Sequence, residues 1–199
     1  MRTIMTKKTD LSKEIISATL ILAANKPWQK ISMNNIAEAA KIEPDILARI
    51  FGSKQSILNT FNHQIDEEIK TRFLNDQDKD SIRDQIFEII MARFDALHPH
   101  KIAIKLILKT TILFDPLASA QGFKALFCSM QSAFELVGLS PAGYLRTAAL
   151  SAIYLNSFRT WLQDDTPDMS ETMAVLDDCL AKVETIVCPN LIPFSRRFN

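Results

Sequence analysis

The charged side chains that could bind a partner are unevenly spread along the 199 residues. Residues 1–60 contain nine Lys and Arg against five Asp and Glu, whereas the remainder contains 14 basic and 18 acidic residues. The chain as a whole carries no net charge. A basic N-terminal part on an acidic body is compatible with a polyanionic partner that binds at the N-terminal end.

Residue types that perform catalysis or bind metals do not form a recognisable set. The three cysteines, Cys128, Cys179 and Cys188, form no Cys-x-x-Cys pair, which argues against a zinc site and against a disulfide framework. His98 and His100 lack the i, i+4 spacing of a helical metal site. No nucleophile, acid–base pair or phosphate-binding loop stands out. We therefore expect no enzymatic activity, no metal and no cofactor.

The elements that must position the charged side chains are predicted to be helices. Apolar residues make up 47% of the chain, Gly occurs only four times, and Leu, Ile, Ala and Lys are abundant, which favours helix over sheet. Ser53 and the pair Ser81 and Asp84 are signals for helix starts, while Pro27 and Pro116 interrupt helices. We predict an all-α chain of about nine helices.

The cellular location follows from what the chain lacks. No apolar run approaches 18 residues, and the N-terminal "MRTIMTKKTD" has no apolar segment typical of a signal peptide. We therefore expect a soluble, cytoplasmic protein.

The apolar spacing within residues 31–58 predicts a helix-turn-helix. If Met33 is the first helical residue, apolar side chains fall where two short helices must bury them against each other, and a small residue falls where the helices cross. The alternative is an ordinary hairpin of two helices in a bundle. The six matching positions are Ile36, Ala37, Ala40, Ile42, Leu47 and Ile50.

A family resemblance is carried by the same stretch. "SMNNIAEAAKIEPDILARIFGSKQSIL", preceded by "IISATLILAA", resembles the N-terminal domain of the TetR family of transcriptional regulators, including its Phe-x-Ser-Lys element at residues 51–54. The resemblance covers residues 11–58. It implies a homodimer whose N-terminal heads bind successive major grooves of operator DNA and whose helical body binds a small ligand that changes the spacing of the heads.

The resemblance also implies roles for individual residues. Ser32 would cap the second helix and face a phosphate, and Lys54 would meet a phosphate as a point charge. Arg49 would face the groove and could reach a guanine edge. The complete set of DNA-binding residues predicted in this way is Ser32, Lys41, Pro44, Asp45, Arg49 and Lys54.

The stretch departs from the family pattern at three places. Lys41 occupies the turn position that is usually Gly, where a side chain costs on the order of 1 kcal/mol, and Ala48 replaces an aromatic residue. Glu43 and Asp45 lie in the first turn of the recognition helix, where phosphates would repel them, although a carboxylate can accept from cytosine N4. We therefore expect weaker sequence-independent affinity than is usual for the family.

The body contains a cluster of aromatic and long apolar side chains that could line an apolar ligand pocket. The alternative is that the cluster is ordinary core. Its members are Phe94, Leu97, Phe114, Phe123, Phe127, Met130 and Phe134.

The last two helices could supply half of a four-helix dimer interface. Apolar residues of the last helix recur at spacings of three and four, which predicts a seam for packing on another helix, and the preceding helix carries small residues that permit close approach. The alternative is that both seams pack within their own chain. The predicted interface residues are Ala148, Ala152, Met173, Leu176, Leu180 and Val183.

A second resemblance covers residues 144–180. This stretch is similar to the TetR-shaped lipid-binding family of ubiquinone biosynthesis. The shared pattern consists of Tyr144 and Arg146, Leu-x-x-Ile-Tyr at residues 150–154, Trp-Leu-x-Asp at residues 161–164, and a following Thr-Pro-Asp turn and Leu-Asp pair. This resemblance implies a fold that holds isoprenoid or phospholipid tails without reading DNA. It also implies membrane docking through a C-terminal amphipathic helix. The tail "LIPFSRRFN" is short and could contact an anionic membrane or be disordered.

These patterns together predict a helix-turn-helix domain at residues 1–52, a ligand-binding and dimerisation domain at 53–187, and a tail at 188–199. The predicted function is that of a TetR-family regulator of the repressor type that binds operator DNA as a homodimer and is released by an apolar small molecule or lipid. The alternative is a TetR-shaped lipid-binding protein of ubiquinone biosynthesis that does not bind DNA.

Overall fold

The computed structural model describes residues 2–74, 81–139 and 143–187, without the side chains of residues 2–9, 112–114, 116 and 184–187. These residues form nine α-helices and two short 3-10 turns, Trp28–Lys30 and His98–His100, and contain no strand. The prediction of an all-α chain with about nine helices is confirmed. The helices are α1 (Arg2–Asn25), α2 (Met33–Ala39), α3 (Pro44–Ile50), α4 (Lys54–Phe73), α5 (Ile82–Leu97), α6 (Lys101–Phe114), α7 (Pro116–Leu136), α8 (Tyr144–Trp161) and α9 (Ser170–Val187).

The helix starts follow from local capping chemistry. The Ser53 and Ser81 hydroxyls accept hydrogen bonds from backbone amides three residues later, at Ser56 (3.2 Å) and Asp84 (3.1 Å), just ahead of α4 and α5. Pro44 is the first residue of α3, where its missing amide costs nothing because that amide would have no helical partner.

The chain divides into two compact units. The first unit comprises Met1–Gln64 and His98–Phe123, and the second comprises Ile65–Leu97 and Lys124–Asn199. In the first unit, α1 packs against α2 and α6 and buries Ile15 and Ala23, while Ala103 and Ile107 form the buried face of α6.

In the second unit, α8 packs along α9, and α5 contacts both helices. The fully buried side chains Phe94, Leu150, Trp161 and Leu176 come from all three helices and form the core of this unit.

Candidate nucleic-acid and ligand sites

The helix-turn-helix is formed by α2 and α3, which contact each other in the first unit. Of the six apolar positions predicted to pack there, Ile36, Ala37 and Leu47 are at most 1% exposed. The other three, Ala40, Ile42 and Ile50, are half-buried. The two short helices are therefore held together by the side chains whose spacing predicts the motif.

The turn between α2 and α3 places Lys41 in the left-handed conformation, with φ 55°. The Lys41 amide donates to the Glu38 carbonyl (3.1 Å), and the Ile42 amide donates to the Ala37 carbonyl (3.0 Å). This pair of bonds is the Schellman ending of a helix, which usually has Gly at the left-handed residue. Lys41 is exposed and its ammonium reaches solvent beside the turn.

The N-terminus of α2 is closed by a reciprocal pair of hydrogen bonds. The Ser32 hydroxyl accepts from the Asn35 amide (3.1 Å), and the Asn35 side-chain oxygen accepts from the Ser32 amide (3.1 Å). Lys26 Nζ also donates to that oxygen, at 3.4 Å. Ser32 thus caps α2 and remains exposed. Asn35 completes the capping box, and the Ser-x-x-Asn spacing in the sequence could have indicated this role.

The outer face of α3 is open to solvent. Pro44, Asp45, Ala48 and Arg49 are exposed, and Leu47 is the residue that anchors the helix. Arg49 Nε donates to the Asp45 carbonyl at 3.3 Å, which draws the guanidinium stem along the helix. The face therefore carries a carboxylate at its N-terminal end and a guanidinium at its C-terminal end.

Lys54 is half-buried and packs against Trp28 in the first unit. Its Nζ donates to the Trp28 carbonyl at 2.8 Å and lies 4.6 Å from the centre of the Trp28 ring. Partial burial lowers the pKa of Lys54 below its usual value. Trp28, which is 8% exposed, was not predicted from the sequence as the partner of Lys54. The two residues lie 26 positions apart, and no local pattern links them.

The aromatic cluster predicted to line a ligand pocket is in part a filled core. The ring of Phe94 stacks on Tyr154 (5.2 Å between centroids) and Trp161 (5.8 Å), and Phe158 lies 5.7 Å from Tyr154. Phe94 and Trp161 have no exposed surface. This stack leaves no room for a ligand at Phe94.

The other predicted ligand residues are dispersed. Leu97 and Phe134 are buried at 4% and 0% exposure, Phe127 is half-buried with its ring 5.3 Å from that of Tyr144, and Phe123 is 60% exposed. The side chain of Phe114 lies outside the described residues.

A groove of about 210 Å³ lies in the second unit between α4, α5 and α7, and we refer to it as the α4–α5–α7 groove. Among the predicted ligand residues with described side chains, Met130 lines the groove and the others do not. Its lining consists of Asp66, Glu67, Ile69, Lys70, Leu74, Ile89, Ile90, Arg93, Ser129, Met130, Ser132, Ala133, Glu135 and Leu136.

One wall of the groove contains a buried ionic network. The Arg93 guanidinium donates to one oxygen of the Asp66 carboxylate, and the Ser129 hydroxyl donates to the other at 2.7 Å. Arg93 Nε also donates to the Tyr154 hydroxyl at 3.3 Å. Arg93 is only 4% exposed, and burial on its own would lower its pKa, but Tyr154 and Asp66 outweigh burial and raise it. The groove thus offers an apolar floor beside fixed polar groups.

The predicted dimer residues divide into two groups. Leu176 and Leu180 are 0% and 1% exposed, so they belong to the core of a single chain, because α9 packs on α8 and α5. Met173 is 40% exposed and Ala152 is exposed, while Ala148 and Val183 are half-buried. The outer faces of α8 and α9 therefore retain apolar surface, to which Leu155 contributes.

The connection between α8 and α9 is organised around Asp164, which is 1% exposed. Its carboxylate accepts hydrogen bonds from the backbone amides and hydroxyls of Thr166 and Thr172. The Trp-Leu-x-Asp and Thr-Pro-Asp elements of the second resemblance therefore have a structural role here, since Trp161 fills the core and Asp164 caps the following helix.

Within the described residues, no group of three or more His, Cys, Asp or Glu side chains could hold a metal ion. No helix in the described part of the chain is long and apolar enough to cross a membrane. The predicted tail, residues 188–199, lies outside the described residues.

The fold is similar to that of TetR-family transcriptional regulators of known structure. The structure is similar to a TetR regulator from Nitrosomonas europaea ATCC 19718, with a TM-score of 0.73, 18% identity, and coverage of 88% of this chain and 98% of that chain. A TetR regulator from Rhodococcus sp. RHA1 gives a TM-score of 0.59 at 15% identity, with 89% and 98% coverage. A TetR-family regulator from Streptomyces coelicolor gives 0.57 at 13% identity, with 89% and 82% coverage.

The C-terminal part has a second similarity, at the level of sequence. The COQ9 family model matches residues 142–187, which comprise α8, α9 and the Asp164 connection between them. No curated protein sequence matches the chain. Both resemblances expected from the sequence are therefore confirmed, the first as a fold and the second as a segment.

Proposed function

We propose that this protein is a TetR-type transcriptional regulator that binds operator DNA as a homodimer and is released by a small ligand in its body. The observation that carries the proposal is the open outer face of α3 on a packed helix-turn-helix. Arg49 is exposed there, while Ile36, Ala37 and Leu47 hold the helix from behind. A helix that is anchored on one side and open on the other can enter a major groove.

The charge of the motif supports a modest electrostatic attraction to DNA. Residues 26–54 contain five basic and three acidic residues, and the acidic Glu43 and Asp45 flank the start of α3. The ammonium of Lys54 has three hydrogens and gives one of them to Trp28, so it can still meet a phosphate. Affinity should therefore rely on base contacts more than on the number of neutralised phosphates.

The α4–α5–α7 groove supports a ligand of limited size. An apolar cavity of ~150 Å³ holds a benzene molecule, so a groove of about 210 Å³ accommodates roughly eight to ten non-hydrogen atoms. The floor residues Ile69, Ile89 and Met130 suit an apolar ring, and the Asp66 and Ser129 oxygens suit a polar substituent. We propose that the ligand is a single-ring or similarly compact amphipathic molecule.

The exposed apolar faces of α8 and α9 support a homodimer. Ala152 permits close approach of helices, and Leu155 and Met173 are 38% and 40% exposed. Placing these faces against their copies would remove apolar area from water in a symmetric interface. The expected mass in solution is that of two chains.

The experiment for this proposal is an electrophoretic mobility shift with the DNA upstream of the protein's own gene. Replacing Arg49 by Ala should weaken specific binding about 5- to 150-fold, since a base contact is worth about 1–3 kcal/mol. Arg72→Ala, which removes an exposed arginine from the end of α4 in the second unit, is the matched control and should leave binding unchanged.

The proposal of DNA binding fails if the wild-type protein shifts no fragment of its genome at low salt. It also fails if the Arg49→Ala variant binds every fragment as tightly as the wild type and the Arg72→Ala control do, because α3 would then not be in the groove.

A second candidate function is lipid or isoprenoid binding without DNA binding. The match of the COQ9 family model to residues 142–187 favours it. At about 210 Å³, the α4–α5–α7 groove accommodates only one or two five-carbon isoprenoid units, so a long isoprenoid tail would require the body to open. Native mass spectrometry of freshly purified protein tests this candidate. A co-purified isoprenoid or phospholipid together with no DNA shift supports it, and a DNA shift with an empty body contradicts it.

A further inference from the structure

The polar wall of the α4–α5–α7 groove presents hydrogen-bond acceptors. The Asp66 carboxylate accepts from Arg93 on one oxygen and from the Ser129 hydroxyl on the other. A carboxylate has about four lone-pair sites, so both oxygens can accept a further hydrogen bond. The Ser129 hydroxyl has one hydrogen, which it gives to Asp66 or to the Ala125 carbonyl (3.0 Å), so its oxygen is left to accept. A ligand that meets this wall must therefore donate.

The two members of the Arg93–Asp66 ion pair differ in their access to the groove. The side chain of Asp66 is 26% exposed, whereas that of Arg93 is 5% exposed. Arg93 Nε also donates to the hydroxyl of the buried Tyr154, at 3.3 Å. The carboxylate end of the pair is thus open to the groove while the guanidinium end is covered. A ligand meets the negative charge of the pair at closer range than the positive charge.

The other charged side chains of the groove leave one carboxylate without a counter-charge. Glu67 and Lys70 on α4 lie 4.0 Å apart and offset each other. Glu135 on α7 lines the groove and is exposed, and it forms no ion pair with any residue that the structure describes. The lining therefore contains three carboxylates against two basic groups, an excess of negative charge in a chain with no net charge.

These charges distinguish between the classes of compact ligand that the size of the groove admits. A protonated amine would donate to Asp66 in the field of Glu135, and its apolar part would lie on the apolar floor. A carboxylate would meet the oxygens of Asp66 and Ser129 with no hydrogen to give, and the like charges would repel. A neutral alcohol could donate but would gain nothing from the charge.

We propose that the ligand of the α4–α5–α7 groove is a compact organic cation, a protonated amine on a single ring or similar apolar group, held by the Asp66 carboxylate with Glu135 adding to the negative potential. The inference rests on the proposal that this groove is the ligand site of the regulator, and it adds the charge and the donor chemistry of the ligand.

The test is an NMR titration of the full-length protein near neutral pH with benzylamine, benzyl alcohol and benzoate. These probes have nearly the same shape and are positive, neutral and negative, and their size is within the roughly eight to ten non-hydrogen atoms that the groove accommodates. Shifts of backbone amides in α4, α5 and α7 locate the bound probe. Benzylamine should bind about tenfold more tightly than benzyl alcohol, because an ammonium donates a stronger hydrogen bond to a carboxylate than a hydroxyl does. Benzoate should bind more weakly than benzyl alcohol.

Two exposed positions change the charge of the groove in opposite directions. Glu135→Gln should weaken benzylamine binding about two- to fivefold, because it removes an exposed carboxylate near the ligand. Lys70→Gln should strengthen it by a similar factor, because it removes the counter-charge of Glu67. Both variants should bind benzyl alcohol like the wild type. Glu171→Gln, which changes an exposed carboxylate on α9 that does not line the groove, is the matched control and should bind all three probes unchanged.

Asp66→Asn tests the carboxylate itself and should abolish the preference for benzylamine over benzyl alcohol. Because Asp66 also pairs with Arg93, circular dichroism must first show that this variant is folded. If it is not folded, the exposed Glu135→Gln and Lys70→Gln variants decide the outcome.

The inference is overturned if benzyl alcohol or benzoate binds in the groove as tightly as benzylamine, and the groove then stands as a ligand site without a preference for cations. It is also overturned if Glu135→Gln and Lys70→Gln bind benzylamine as tightly as the control does. If none of the probes shifts the amides of the groove, the inference fails together with the groove as ligand site. The mobility-shift assay contains no ligand and reports separately on DNA binding.

Discussion

Replacing Asp164 by Asn should destabilise the second unit strongly, because this carboxylate is surrounded by donors. One oxygen accepts from the Thr166 amide (3.0 Å) and hydroxyl, and the other accepts from the Thr172 amide (2.8 Å) and hydroxyl (2.7 Å). Asn has nearly the same shape, but its amide nitrogen would place hydrogens against the donors of one threonine. The substitution therefore removes the charge and leaves buried donors without an acceptor.

The magnitude follows from the burial of the partners. Thr172 is fully buried and Asp164 is 1% exposed, so water cannot replace the lost bonds. A hydrogen bond to a charged group contributes about 1.5–3 kcal/mol, and an orphaned buried donor costs about 1–3 kcal/mol. Because such contributions are not additive, we expect a loss of roughly 3 kcal/mol in the free energy of unfolding.

The pH dependence of this loss has a definite sign. Burial alone would raise the pKa of Asp164, but the bonds from Thr166 and Thr172 outweigh burial and hold the pKa well below its ordinary 3.8. A carboxyl whose pKa is lowered in the folded state stabilises the protein above its unfolded pKa, and this contribution is lost as the pH falls below that value. The difference between wild type and Asp164→Asn should be constant from about pH 5.5 to 8 and should shrink below about pH 4.

The measurement is urea unfolding followed by circular dichroism at several pH values, with Asp95→Asn, which changes an exposed carboxylate on α5 of the same unit, as the control. The reasoning is refuted if Asp164→Asn costs no more than Asp95→Asn near neutral pH. It is equally refuted if the difference between wild type and Asp164→Asn stays the same size at about pH 3.

Two further predictions concern the turn and the groove. Lys41→Gly should raise the free energy of unfolding by about 0.5 kcal/mol, since the relief of about 1 kcal/mol at φ 55° exceeds the added entropy of the unfolded chain; a lower midpoint of thermal unfolding would contradict this. Asp66→Ala should lower the free energy of unfolding by about 3–5 kcal/mol because it removes the carboxylate that pairs with the buried Arg93 guanidinium. Arg93→Met should cost less, since the Asp66 side chain is 26% exposed and that of Arg93 only 5%. In urea unfolding the Asp66→Ala, Arg93→Met double variant should lose less than the sum of the single losses, and additive losses would show that the pair is not coupled.

Local rules explain why much of the fold could be predicted. The caps at Ser32, Ser53 and Ser81 and the start at Pro44 depend on residues within one turn of the helix, and the structure shows them at those positions. The helix-turn-helix spacing is of the same kind, whereas the turn at Lys41 was indicated by the resemblance to the TetR family. The predicted contacts with DNA and with a second chain involve other molecules and remain predictions.

The sequence by itself determined where the helices lie and which of their faces are apolar, because these properties depend on neighbours three or four positions away. Only the tertiary structure decided what each face packs against. It placed Leu176 inside one chain while Met173 stayed exposed, and it joined Lys54 to the carbonyl of Trp28. It also formed the α4–α5–α7 groove, which the buried Phe94 does not line. Periodicity shows that a face is apolar, but the partner of that face is set by contacts between residues far apart in the chain.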